Sequence, residues 1–282
     1  MVSVKVASFV GAVALFASAA QMVQRAHAAD LPQLPPVYAP PIEEYIASGW
    51  YLRGDIGMSN QQVKSLNNAL YSQVSSVNTV QKDFDSAPFF GLGVGYQFNH
   101  WFRADLTGEY RGKANFHGLD IVRSGGNTFT DEYRGSKSEW LVLANFYVDL
   151  GTWYSFTPFV GAGIGASYNT ISNFLDVCTT CTPATSVATG DTASKWNFAW
   201  ALHAGVAYKV NSQLTIEFAY RYVSLGDAMS GDLVTFTGTN NINNPMEFNK
   251  ISSHDLKLGV RWLLDAPVEK GPVMLPPLRS RG

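Results

Sequence analysis

Phe102-Arg103-Ala104-Asp105-Leu106-Thr107-Gly108-Glu109-Tyr110-Arg111 sorts its side chains by parity. Even positions carry Phe102, Ala104, Leu106 and Tyr110, and odd positions carry Arg103, Asp105, Thr107, Glu109 and Arg111. Neighbouring side chains on a strand point to opposite faces, so the stretch reads as a strand with one apolar and one charged face.

Seven more segments follow the same alternation. Upstream, Trp50, Leu52, Ile56 and Met58 oppose Tyr51, Arg53 and Asp55, and Phe90, Leu92, Val94, Tyr96 and Phe98 oppose Gly91, Gly93, Gly95 and Gln97. Downstream, Trp140, Val142, Ala144, Phe146 and Val148 oppose Glu139, Asn145 and Asp149, and Val160, Ala162, Ile164 and Tyr168 oppose three glycines. Phe198, Trp200, Leu202, Val206 and Tyr208 then face away from His203, Gly205 and Lys209. Leu214, Ile216, Phe218, Tyr220 and Tyr222 face away from Thr215, Glu217 and Arg221, and Leu256, Leu258, Val260 and Trp262 from Asp255, Lys257 and Arg261. Links at Asn99-His100, around 151–156 and at Asn211-Ser212-Gln213 are brief, whereas 59–87, 112–136, 169–194 and 225–251 are long and polar. This predicts an all-β fold: an eight-stranded antiparallel up-and-down transmembrane β-barrel over 49–264, with four long extracellular loops and three short periplasmic turns.

Alternation alone does not say which face is inside. A soluble barrel has an apolar interior, and a membrane barrel inverts it. Three features favour the membrane. Lys5, the apolar run Val6–Ala20 and Ala26-His27-Ala28 form a signal peptide over 1–28, with Ala26 and Ala28 as the small residues of the cleavage site. The apolar faces end in aromatics suited to an interfacial girdle: Trp50, Tyr96, Phe98, Phe102, Tyr110, Trp140, Tyr168, Tyr208, Tyr220, Tyr222 and Trp262. The opposite faces mix glycine with charges of both signs, as a narrow interior needs. Arg53, Asp55, Arg103, Asp105, Glu109, Arg111, Glu217, Arg221, Lys257 and Arg261 are expected to pair across the lumen, because an unpaired charge there is costly.

Outside the barrel, 29–48 reads as a Pro-rich periplasmic linker and 265–282 as a Pro-rich tail. The net charge of −2 gives no electrostatic case for nucleic-acid binding. Cys178 and Cys181 would meet an oxidising compartment, where a small disulfide ring is favoured. The zinc reading needs further ligands, and none is evident in the sequence.

Residues 49–262 resemble the small outer-membrane β-barrel family of alphaproteobacteria, which includes the major outer-membrane proteins of Brucella and their rhizobial relatives and shares the OmpA-like transmembrane fold. The resemblance is carried by Gly49-Trp50-Tyr51, Phe90-Gly91-Leu92-Gly93-Val94-Gly95-Tyr96, Ala144-Asn145-Phe146-Tyr147-Val148-Asp149-Leu150, Pro158-Phe159-Val160-Gly161-Ala162-Gly163-Ile164-Gly165, Tyr220-Arg221-Tyr222 and the segment from His254 to Trp262. Ala29-Asp30-Leu31-Pro32 matches the processed start of this group. Such barrels usually end at an aromatic residue read by the outer-membrane assembly machinery. Trp262 fits that place, yet a tail follows it, which departs from the pattern.

The resemblance implies a non-enzymatic envelope protein in contact with lipid and lipopolysaccharide, with no cofactor and no metal. Its loops are open to a host or surface ligand, and Lys113, Arg123 and Arg134 near the loop bases are candidates for lipid phosphates. A small-solute pore and a loop-mediated adhesin are the alternatives. An enzyme would need a nucleophile and base together. His203 has no evident partner, and His254 and Asp255, being adjacent on a strand, point to opposite faces.

Overall fold

The computed structural model describes residues 48–181, 185–238 and 242–264. The signal peptide with Ala26 and Ala28, residues 29–47 of the linker and the 265–282 tail lie outside them. The described residues form eleven strands: β1 (Gly49–Asn67), β2 (Ser76–Phe84), β3 (Ala87–Gln97), β4 (Phe102–Ser124), β5 (Asn127–Asp149), β6 (Phe156–Cys178), β7 (Ser186–Gly190), β8 (Ala193–Lys209), β9 (Leu214–Met229), β10 (Leu233–Thr235) and β11 (Glu247–Leu263). A short 3-10 helix, Ala69–Gln73, follows β1, and the Asn68 side chain accepts from the Leu70 amide at its start.

All pairings are antiparallel. The ladder runs β1–β3–β4–β5–β6–β8–β9–β11 and returns from β11 to β1, so the sheet closes with no free edge along that circuit. The remaining strands extend it: β2 bridges β1 and β4 beyond β3, and β7 joins the end of β6 and carries β10.

Outward residues of the circuit form an apolar belt, with Leu92 72%, Leu106 53%, Ile164 56% and Phe218 59% exposed. Soluble monomers rarely expose contiguous apolar surface of this extent, whereas hydrocarbon favours it. Aromatic pairs rim the belt on both sides. On the short-turn side Trp50 meets Tyr96 (ring centroids 5.3 Å apart), Phe98 stacks on Phe102 (5.3 Å) and Phe156 meets Tyr208 (4.9 Å). On the other side lie Tyr110 against Trp140 (5.0 Å), Tyr168 against Trp196 (4.8 Å) and Trp200 against Tyr222 (5.4 Å). Phe102 and Tyr110 are separated by about 27 Å of strand at ~3.4 Å per residue. A tilt near 40° turns this into a belt about 20 Å tall, close to the height of a hydrocarbon core spanned by strands.

The expectation of four polar loops needs correction. Most of 59–87, 112–136 and 169–194 is strand, and β4 and β5 are connected only by a turn at Gly125-Gly126, both at positive φ. Tyr110, Trp140 and Tyr222 therefore lie within strands rather than at their ends. The reason is a change of phase. β4 carries an extra residue between Arg111 and Ala114, β6 one at Ser172–Phe174 (Asn173, φ 53°), and the β9–β11 pair is offset near Gly226 (φ 73°) and Lys250 (φ 54°). Each bulge moves the following side chains to the opposite face. Above that level the apolar residues point inward. Phe84, Phe116, Phe174 and Phe248 cluster there with centroids 4.8–6.0 Å apart and are 0–6% exposed. Each such burial contributes about 1.5–3 kcal/mol.

Candidate functional site

Inside the belt, the charged residues among the inward alternate positions gather in two groups. Nearer the short turns are Arg53, Arg103, Lys257 and Arg261 with Asp55, Asp105, Asp149 and Glu217. Arg53 donates to both oxygens of Asp55 (2.9 Å each), to Asp105 (2.6 Å) and to Glu217 (3.2 Å). Arg103 reaches Asp149 (3.2 Å) and Glu217 (3.3 Å), Lys257 lies 3.5 Å from Asp55, and Arg261 lies 3.5 Å from Glu217. Arg103 also lies over the Tyr147 and Phe159 rings, at 4.1 and 4.7 Å from their centroids.

Farther up are Arg111, Arg221 and Lys137 with Glu109, Glu139 and Asp255. Arg111 holds Asp255 through two bonds (2.8 and 2.7 Å), donates to Ser253 (2.8 Å) and lies 2.5 Å from Glu139. Arg221 forks onto Glu109 (2.6 and 2.7 Å) and also reaches Asp255 (2.7 Å). Lys137 pairs with Glu139 and donates to Gln61. Four cations thus meet four anions in the lower group, and three meet three in the upper. Forked arginine–carboxylate geometry suits this, since buried ions need several well-placed partners.

Glycine makes room for the ring side chains. A Cβ on Gly95 would collide with the Tyr51 ring, and one on Gly161 with the Tyr147 ring. Tyr51 donates to Asp105 (3.0 Å), and Arg53 donates to the Tyr147 hydroxyl (3.1 Å).

The ten sequence-predicted lumen residues all lie in these groups. Lys137, Glu139, Asp149 and Asp255 complete them and were absent from the expected network, although their parity on β5 and β11 matched. Leu141, Leu143 and Val223 also point inward, fully buried, so the interior face is only partly polar. The Cys178–Cys181 disulfide is present. Asp131 approaches it within metal-ligand range, but sulfurs bonded to each other are no thiolate ligands. Neither histidine has hydrolase geometry: His203 contacts Asn145 (3.1 Å), while His254 bonds the outward Tyr220 hydroxyl (2.6 Å) with Ser253 and Asp255 buried on the other face. Among the candidate phosphate contacts, all three are exposed, but only Lys113 sits just above the Tyr110 rim. Arg134 and Arg123 stand about 16 and 34 Å above the rim at the same rise and tilt.

A second cluster lies in the outer part of the barrel, where the sequence reading saw only loops. Asp120 faces Asp131 across the β4–β5 ladder, and Asp176 pairs with Tyr133 across β5–β6. The Tyr71 and Tyr133 hydroxyls both donate to Asp120 Oδ2, at 2.5 and 3.2 Å. Burial, reinforced by the Asp120 charge, pushes the Asp131 carboxyl up to about 6. Burial followed by the charges of Asp131 and Asp120 pushes Asp176 up to about 7. Tyr71 and Tyr133 are held above the ordinary phenol range, chiefly by burial. The signal that could have located this cluster was the renewed alternation after Lys113: Ala114, Phe116, Gly118, Asp120 and Val122.

A closed antiparallel sheet with a lipid-type exterior and ion-paired lumen defines an integral barrel of the outer membrane. Residues 11–262 match the family model described as outer membrane protein beta-barrel domain, and the chain belongs to that family. An uncharacterised protein of Brucella abortus strain 2308 is 35% identical over 221 residues, covering 71% of this chain and 76% of the relative. A Rickettsia bellii protein carried as a candidate adhesin is 29% identical over 217 residues, covering 76% of this chain and 87% of its own length. Outer membrane protein PagN of Salmonella typhimurium is 27% identical over 185 residues, covering 63% and 75% respectively. The chain is thus an outer-membrane protein of Gram-negative type with alphaproteobacterial relatives, and its belt lies in lipid and lipopolysaccharide.

Proposed function

We propose that this protein is a non-enzymatic structural component of the envelope. In this reading eight strands (β1, β3, β4, β5, β6, β8, β9 and β11) cross the membrane after export and removal of residues 1–28. Trp262, outward near the end of β11, serves as the aromatic residue read by the assembly machinery. Lys113 meets lipopolysaccharide phosphate above the upper aromatic rim.

The observation that carries the reading is the filled lumen: balanced ion pairs through the belt, with the phenylalanine cluster above them. Such packing supports a closed barrel and weighs against a small-solute pore. Purified protein in planar bilayers is expected to give no stepwise conductance, and cells lacking it are expected to become more sensitive to detergent and chelator. Steady ohmic conductance would overturn the reading, as would turnover in a hydrolase assay.

The adhesin reading is kept because of the Rickettsia relative and because the strands rise beyond the belt as an ordered, water-facing platform. Deleting the β7 and β10 segments should leave detergent resistance intact. Under the adhesin reading the same deletion abolishes attachment of bacteria to host cells.

A further inference from the structure

Charge is balanced in the lumen but not on the outer wall above the aromatic rim. Lys137, Lys195 and Lys257 have acid partners, whereas Lys64, Lys82 and Lys250 are in no ion pair among the described residues. In the β1–β11 ladder Val63 pairs with Ile251 and Ser65 with Asn249, so Lys64 and Lys250 stand opposite each other between those rows, both exposed. Like charges so placed repel. Lys82 adds a third ammonium, donating from β2 to the Lys64 carbonyl. Lys64 and Lys250 line one groove of about 560 Å³ together with Gln62, Tyr222, Ser224, Gly226 and Ser252. The β9–β11 bulge shapes it at Gly226 (φ 73°), where a Cβ would strike the Asn197 side chain. Two acids are near but do not line the groove: Asp83, paired with Gln62 in the β1–β2 ladder, and Asp227, which holds Lys195 (3.5 Å) and accepts from the Lys250 amide (2.9 Å).

The height of the groove points to its occupant. Tyr222 at its foot belongs to the upper rim, where it meets Trp200 and His254. Ser224 stands ~5 Å above Tyr222, and Lys64 and Lys250 stand ~10 Å above the paired Asn60 and His254, at the rise and tilt of the belt strands. Headgroups occupy roughly the first 5–8 Å beyond the hydrocarbon, and lysine stems reach along such a wall. We infer that this groove binds a phosphate monoester of lipopolysaccharide, flanked by Lys64 and Lys250, with Gln62, Ser224 and Ser252 as neutral donors. A monoester carries close to two negative charges and so answers two opposed ammoniums, whereas the phosphodiester of a glycerophospholipid carries one. The inference rests on the envelope reading and deepens it, since it adds a site on β1, β9 and β11 to the contact proposed for Lys113 on β4.

The test uses mature protein in nanodiscs of phosphatidylcholine, with both faces open to an amine-acetylating reagent and each lysine read by mass spectrometry. Lipopolysaccharide at ~10 times its dissociation constant should slow acetylation of Lys64 and Lys250 about tenfold. Lys209, exposed at the short-turn end of β8, should react as before. Lipopolysaccharide stripped of phosphate, or phosphatidylglycerol at equal charge, should protect neither lysine. Lys64→Gln combined with Lys250→Gln, both at exposed positions, should weaken binding of fluorescent lipopolysaccharide about tenfold or more, as loss of a charge-assisted bond does, and Lys209→Gln should leave it unchanged. Undiminished reactivity of Lys64 and Lys250 in the wild-type protein would overturn the inference, and that result depends on no variant folding. Equal protection by phosphatidylglycerol or by the stripped lipopolysaccharide would overturn it as well. The envelope role is read separately, from the detergent sensitivity of cells lacking the protein, so these results leave it standing.

Discussion

Leu106 and Phe116 stand on the same strand and obey opposite rules. Leu106 lies 53% exposed on the outside of the barrel, whereas Phe116, at 1%, is packed inside it. Below the bulge at Gly112-Lys113 the greasy side chains face out and ions face in; above it the greasy side chains face in and Lys113, Asn115 and His117 face out. The sheet is continuous, so backbone pairing does not distinguish the two regions. The solvent does: lipid accepts an apolar exterior and water does not. One extra residue in a ladder is enough to exchange the faces.

The largest effect should come from stranding ions in the lower region. Arg111→Met leaves Asp255 and Glu139 short of their main partner and should cost about 3–5 kcal/mol, as breaking buried pairs does. Reversible urea unfolding in lipid vesicles would measure it, and a cost below ~1 kcal/mol would mean that water floods the lumen. Phe116→Ala should remove a comparable but slightly smaller amount, at about 3–4 kcal/mol. Its loss should be confined to the outer region, with protease sensitivity at the ends of β4 and β5 and an intact, detergent-resistant belt.

Lysine substitutions on outward positions sharpen the comparison. Leu106→Lys, midway between Phe102 and Tyr110, should cost about 2–4 kcal/mol. Val80→Lys, outward on β2 and 56% exposed, should stay within about 0.5 kcal/mol. Equal costs would erase the boundary between lipid and water drawn here. Thr107→Ser should be tolerated, because the hydroxyl that accepts from Asn145 at 3.0 Å is kept.

The smallest effect is a pH dependence restricted to the outer region. Asp131 and Asp176 stand at about 6 and about 7 in the fold, against an ordinary 3.8. They hold protons more tightly folded than unfolded, so stability is greatest below about pH 4 and is lost as pH rises to about 7. The facing groups are Asp120, Tyr71 and Tyr133, none of them cationic. Hydrogen exchange at 118–122 and 174–178, corrected for intrinsic rates, should quicken over that interval. Asp176→Asn should flatten the change, while amides of the belt should not respond.

The parity of residues 102–111 and its repeats located the belt, because a lipid-facing strand must alternate over its whole crossing and the pattern is local. The long segments read as loops because single bulges interrupt the period. Phe116 and Phe248 each stand between polar neighbours and Phe174 follows Ser172-Asn173, and their common core forms only when β4, β6 and β11 are brought round the barrel. Asp120 and Asp131 are near in sequence but separated by the Gly125-Gly126 turn, so their opposition depends on the hairpin register. Asp176 joins them from another strand altogether.

The chain alone therefore determined which residues alternate, and with them an apolar face long enough to cross a membrane, since side-chain parity is a property of each strand. Only the closed tertiary structure decided which cation meets which anion, where the faces exchange, and that Asp120 and Asp131 face each other with no ion-pair partner among the described residues. Those outcomes depend on register and bulges between strands distant in sequence, where a shift of one residue reverses every side chain.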